Sequence, residues 1–172
     1  IKKSFETQNL IQRLNSLLPK DISIQSIQNV KPEASARYAA VERTYQYRIT
    51  RKKNPFLEGL AWHYFKVIDI KTMNKAAALL LGEQDFECFS KVKTEVNHFW
   101  CDVKKASWEE KEYEMEFTIT ANRFLRGMVR AIVGTLLDVG SGKITVTEFQ
   151  SIIKSKDRKK AGANVPPHGL YL

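Results

Sequence analysis

Residues 121–140 carry the pattern that restricts this chain most. Stepped at about 100° per residue, Phe124, Leu125, Met128, Val129, Ile132, Val133 and Leu136 fall on one continuous apolar face of an amphipathic helix. A helix with so wide an apolar side has to be covered by a sheet or by other helices. Arg123, Arg126 and Arg130 recur at i, i+3 and i+7 along one flank, with Gly127, Ala131 and Gly134 as a small-residue stripe beside them. An interior glycine costs a soluble helix about 1 kcal/mol relative to alanine. Two on one stripe imply that backbone or a ligand comes close. Guanidinium groups beside such a surface point to phosphate or nucleic acid. A core helix with a solvated arginine edge would show the same pattern.

The sequence just before this segment alternates with period two. Tyr113, Met115, Phe117 and Ile119 point one way, and Glu112, Glu114, Glu116, Thr118 and Thr120 the other. That predicts an antiparallel strand with one face in the core and the other solvated or facing a partner. Residues 96–108 precede it as the other arm of a β-hairpin. Strands are also expected around Ile22, Ile24 and Ile27, over residues 36–50 and over residues 60–67. In the second of these, Val41, Arg43, Tyr45, Tyr47 and Ile49 share a face. Helices are expected over residues 4–18, ended by Pro19, over residues 70–81, closed by Gly82, and from a capping box at Thr145 and Glu148 to near Lys156. Residues 85–91 read as a loop or short turn, and residues 164–172 as an extended tail that becomes apolar again at its end. Five strands and four helices in this order predict an α+β fold, an antiparallel sheet with helices packed on one face.

With 172 residues, 43% of them hydrophobic and 27% charged, the chain can build one globular domain with its own core. Its net charge of +9 is clustered, in Arg48, Arg51, Lys52 and Lys53 and again in Lys154, Lys156, Arg158, Lys159 and Lys160. Charge runs are usually solvated faces. Together with the arginines of residues 121–140, these point to a polyanionic partner. The longest apolar run, residues 76–81, is far too short to span a bilayer. Cys88 and Cys101 fit a reducing compartment and lack metal-ligand spacing, and His63, His98 and His168 are scattered. No metal or cofactor is expected. The first residues do not read as a signal peptide, so a cytoplasmic, soluble protein is expected. The chain opens on Ile1 rather than methionine, which reads as a fragment.

Six segments taken together resemble the tRNA pseudouridine synthase A family. They are residues 15–21, Ala36-Arg37-Tyr38, residues 43–47 (Arg-Thr-Tyr-Gln-Tyr), residues 82–89 (Gly-Glu-Gln-Asp-Phe-Glu-Cys-Phe), residues 121–140 and Gly169-Leu170-Tyr171-Leu172. They fall in the family's order across essentially the whole chain, and the block around Asn122-Arg123-Phe124-Leu125-Arg126-Gly127 is the most specific. The resemblance implies isomerisation of uridine to pseudouridine in the anticodon arm of tRNA, by a homodimer that uses neither metal nor organic cofactor. It implies the pseudouridine synthase fold, a mixed, mostly antiparallel sheet flanked by helices. Tyr45 matches the family's active-site tyrosine, which stacks on the target base and is a candidate for proton transfer. Arg130 matches the arginine that pairs with the catalytic aspartate, and Leu170 the apolar residue against the base. Arg43, Arg123 and Arg126 are the accompanying candidates for RNA contact.

One part of the family pattern is absent. The nucleophilic aspartate lies in a Gly-Arg-Thr-Asp segment, and none of Asp21, Asp69, Asp85, Asp102, Asp138 and Asp157 has that context. The chain therefore resembles the C-terminal portion of the enzyme, and by itself it is expected to be inactive. Ser35 and Cys88 also depart from the residues common in relatives. Two other readings fit the same bulk charge. One is a non-catalytic basic RNA-binding module. The other is a dimerisation domain that uses the Gly127 and Gly134 stripe.

Overall fold

Local chemistry sets the ends of most elements in the computed structural model, which describes residues 6–36, 38–92 and 96–172. Ile1, the first two residues of the helix expected over residues 4–18, and Arg37 lie outside the described residues. The chain divides into two compact units, Ile1–Ala40 and Val41–Leu172, and each is described by itself.

In the first unit, helix α1 (Thr7–Leu17) is followed by Leu18 and stopped by Pro19, as its sequence predicts. The strand expected around Ile22, Ile24 and Ile27 does not form. Instead the side-chain amide of Asn15 takes both polar groups of Ile24: its Nδ2 donates to the Ile24 carbonyl (2.9 Å), and its Oδ1 accepts from the Ile24 N–H (2.7 Å). Once one side chain satisfies that backbone, a ladder partner is not needed there.

The second unit begins with β1 (Arg43–Thr50), rich in β-branched and aromatic residues. The strand is shorter than the expected residues 36–50. Strand β2 (Trp62–His63) then meets only Ile49 and Thr50, in parallel. The remainder of the expected strand over residues 60–67 leaves the sheet, with Phe65 and Val67 exposed. Asp69 caps helix α2 (Ile70–Ala78) by accepting from the N–H groups of Lys71 and Thr72. The amide of Gln84 donates to the carbonyls of Leu79 and Leu81 at the other end of that helix. Gly82, at φ +88°, turns the chain into β3 (Gly82–Asp85), an edge strand whose polar sequence gives no alternation to read.

The predicted hairpin is present as β4 (Trp100–Glu110) and β5 (Met115–Ala121). A bulge between Val103 and Lys105 leaves Lys104 and Lys105 exposed in succession before Trp108 returns to the core. Helices α3 (Met128–Gly140) and α4 (Val146–Ser155) follow, and β6 (Leu170–Tyr171) closes the chain. The capping box at Thr145 and Glu148 is formed in full.

The strands run in the order β2-β1-β5-β4-β3, with β6 also on β1. Among the described residues only β1 and β2 pair in parallel; the other pairs are antiparallel. Tyr47, Phe117, Ile119 and Trp108 share one core with Met73, Ile132, Leu136 and Phe149 of the three helices and with Leu80 just past the end of α2. This is the α+β arrangement expected, a mixed and mostly antiparallel sheet covered by helices.

Two details of the alternation differ from expectation. Tyr113 is exposed, because it sits in the hairpin turn closed by Lys111 N–H and the Glu114 carbonyl. Glu116 and Thr118 do face away from Phe117, yet they are buried rather than solvated. The Glu116 carboxylate accepts from Gln46 Nε2 at 3.0 Å and pairs with Lys111 Nζ at 3.0 Å and Arg48 Nε at 3.4 Å. Arg48 in turn lies over the Tyr171 ring, 4.6 Å from its centre.

Candidate active site

The segment that carries the arginines is not one helix. Ala121 still belongs to the sheet, where it faces Arg43 on one side and Val103 on the other. Asn122 continues the attachment: its N–H donates to the Asp102 carbonyl, and its side chain accepts from Asp102 N–H. Only at Gly127, with φ +78°, does the chain turn into α3. An L-residue with a side chain rarely adopts that conformation. Arg123 and Arg126 therefore precede the helix, and the expected arginine flank does not exist. Helical periodicity reads through a turn when the turn happens to be apolar at the right steps, as Phe124 and Leu125 are here.

The small-residue stripe has a concrete partner. A Cβ on Gly134 would stand 1.9 Å from the Ala163 carbonyl oxygen, and one on Gly162 would meet Asp138, the Thr135 N–H and Gly134. The close approach is made by the chain's own backbone, with Gly162 N–H donating to Thr135 Oγ1 at 2.9 Å. Gly134 is thereby covered from within, which removes it from the suggested dimer contact.

That returning segment aims Arg130. The Val165 N–H donates to the Arg130 carbonyl at 3.3 Å, and Arg130 Nε donates to the Val165 carbonyl at 2.6 Å. Among the described residues nothing bonds the terminal guanidinium nitrogens. The segment then turns at Pro166 and Pro167 and lays Leu170 beside Tyr47 of β1. Gly169 allows this, since a Cβ there would lie 2.7 Å from the Arg48 carbonyl and about 3 Å from the Tyr47 ring. Tyr47 is buried, and its hydroxyl donates to the Pro166 carbonyl at 2.7 Å. Burial pushes its phenol well above the ordinary range, against a smaller opposing pull from Arg130.

Tyr45, two residues along the same face of β1, is half-buried and meets the edge of Phe124 at 5.0 Å and 90°. Tyr45, Arg130 and Leu170 thus line one open pocket of about 170 Å³, floored by Phe124, Met128 and Val129. Three residues far apart in sequence, each expected at the site, come together there. The other three candidates do not line it. Arg43 stands at the start of β1, Arg123 Nη1 lies 3.1 Å from His98 Nε2, and Arg126 is exposed. Sequence reasoning missed Phe124 as the support of Tyr45, and Val165 as the acceptor that orients Arg130. The paired prolines at 166 and 167 were the available signal for the second.

The pocket offers an aromatic face, an aliphatic wall and a fixed cation with free donors. That suits a planar, hydrogen-bonding ring next to an anion. No carboxylate lines it among the described residues. Asp85, Asp102 and Asp138 are paired with Lys156, Lys104 and Lys143, and Asp69 is the cap of α2.

A family model described as tRNA pseudouridine synthase matches residues 76–172, more than half of the chain. The chain belongs to the tRNA pseudouridine synthase family. It is 48% identical over 169 residues to the tRNA pseudouridine synthase A of Porphyromonas gingivalis, covering 97% of this chain and 67% of that protein. The proteins of the same name from Bacteroides fragilis and Bacillus subtilis are 45% and 38% identical over 97% and 92% of this chain. The chain spans about two thirds of the length of the curated relatives it matches.

Proposed function

We propose that the protein represented by this chain converts uridine to pseudouridine in the anticodon stem-loop of tRNA, and that these residues supply the base-holding side of its active site. The observation that carries this reading is the meeting of Tyr45, Arg130 and Leu170 in one pocket. The reaction breaks the bond from uracil N1 to the ribose C1′, turns the base, bonds C5 to C1′, removes the C5 proton and leaves N1 protonated. A positioned carboxylate is needed at the sugar. Tyr45 stacks on the uracil ring, Leu170 closes the opposite side, and the terminal nitrogens of Arg130 hold the catalytic aspartate ionised and oriented. Tyr45 is also the candidate to receive the C5 proton. Arg43, Arg123 and Arg126 meet RNA phosphates around this pocket. No metal or organic cofactor takes part, and the working form is a cytoplasmic homodimer that shares one tRNA. Among the described residues no helix is long and apolar enough to cross a membrane.

This chain lacks the Gly-Arg-Thr-Asp segment, and its own pocket has no carboxylate among the described residues. Alone it binds RNA without turnover. The same observation favours a second reading, a non-catalytic RNA-binding module. Joining to this chain the part of the Porphyromonas gingivalis relative that it does not cover separates the two. Mass spectrometry of tRNA after incubation is expected to show pseudouridine with the fusion and none with the chain alone. Turnover by the chain alone contradicts the need for the absent aspartate; a folded, inactive fusion favours the binding module.

A further inference from the structure

A second pocket, of about 320 Å³, lies beside the first and has a different character. Ser90, Lys91, Phe99, Lys156, Arg158 and Lys159 line it, four of them cations. Glu87 and Asp157 also reach it, so the balance is positive. Four of these charges have a defined state. Lys156 Nζ pairs with Asp85 at 2.7 Å. Arg158 is fixed by its donors, Nη1 to the carbonyls of Ala161 and Gly162 and Nη2 to Asn164 Oδ1. Asp157 accepts the Lys159 backbone N–H at 2.9 Å. The Lys159 ammonium is exposed and has no ion-pair partner among the described residues.

Ser90 adds the independent observation. The residue is 3% exposed, and its Oγ is buried with no hydrogen-bond partner among the described residues. A buried hydroxyl without a partner is rare in folded proteins, because its desolvation is not offset. The hydroxyl lies just behind the pocket wall, so an oxygen-rich anion there would supply the counter-charge, and a turn of the Ser90 side chain toward it would supply the missing partner.

The position of the pocket narrows the anion. Lys91 N–H donates to the Arg126 carbonyl at 2.9 Å. Gly127, which lines the Tyr45 pocket, sits against Lys91 and Asn164: a Cβ there would be 4.0 Å from Lys91 Cβ and 3.5 Å from Asn164 Nδ2. The two pockets therefore share a wall. We propose that the Ser90–Lys159 pocket holds a backbone phosphate of the RNA strand whose base enters the Tyr45 pocket, an assignment that rests on the reading given above. Such a contact fixes the strand's register without reading its sequence.

Fluorescence anisotropy of an anticodon stem-loop bound to the whole chain tests this, over a series of salt concentrations. Lys159→Ala is expected to weaken binding several-fold and to flatten the plot of log affinity against log salt by about 0.7, the loss of one single-strand phosphate contact. Ser90→Ala is expected to weaken binding with the slope kept, while Lys75→Ala, at an exposed lysine of α2 outside the pocket and outside both basic clusters, leaves both unchanged. Titration with inorganic phosphate is expected to move the backbone amide signals of Ser90 and Lys159. Binding that falls with Tyr45→Ala but is untouched by both pocket variants overturns the phosphate assignment and leaves the base-site reading standing. Binding that falls with the pocket variants but ignores Tyr45→Ala supports the phosphate site and overturns the base-site reading.

Discussion

Arg130 and Val165 are bonded to each other twice, once through the two backbones and once from the guanidinium Nε to the Val165 carbonyl. The side chain that faces the pocket is therefore oriented by the segment that returns along α3. What holds that segment in place also holds the site.

Gly134→Ala is the sharpest test of that dependence. Its methyl group would collide with the Ala163 carbonyl oxygen, a backbone atom that cannot swing aside. Overpacking of this kind costs about 1–3 kcal/mol. Urea unfolding is expected to show that loss, and the NMR signals of Val165, Leu170 and Arg130 are expected to shift with it. Wild-type stability in the variant would mean that residues 161–165 do not lie against the helix as described.

The helix starts give a prediction in acid. Bonds from Thr145 hold the Glu148 carboxyl below its ordinary 4.5, and those from Thr72 do most to hold Asp69 below 3.8. A carboxylate whose pKa is lower folded than unfolded adds stability that is complete above the ordinary value and is lost as pH falls through the lowered one. Hydrogen-exchange protection in the first turns of α2 and α4 is expected to be flat near neutrality and to fall once pH drops below about 4. Thr145→Ala should remove about 1 kcal/mol at neutral pH, read as a lower Tm.

The cysteines should be silent in the folded protein. Both are free and buried; burial pushes the Cys88 thiol up to about 12 and the Cys101 thiol up to about 11. The thiolate is the reactive form. A thiol reagent at neutral pH is expected to label neither residue until denaturant is added, and rapid labelling of the native chain would contradict their burial.

How much of this was legible in the sequence follows from what each pattern depends on. Pro19 as a helix stop and the Thr145–Glu148 capping box are local and stand as read, and of the β5 alternation the core-facing Met115, Phe117 and Ile119 do. Residues 121–127 mislead because strand end, turn and helix start share an apolar rhythm that only the φ of Gly127 breaks. Glu116 looks solvated from its alternation, and the burial comes from Arg48 and Lys111, which no local pattern couples to it. The site divides in the same way. Tyr45, Arg130 and Leu170 came from family resemblance and meet in space, while Phe124 and Val165 act through contacts that have no sequence spacing at all.

The central claim is that the Tyr45, Arg130 and Leu170 pocket receives the target base. Ultraviolet cross-linking of an anticodon stem-loop carrying 5-bromouridine at the target position, followed by peptide mapping, tests it directly. The cross-link is expected on Tyr45 or its neighbour Phe124 and should disappear in Tyr45→Ala. A cross-link confined to the basic residues Arg51, Lys52 and Lys53, unchanged by that substitution, would contradict it.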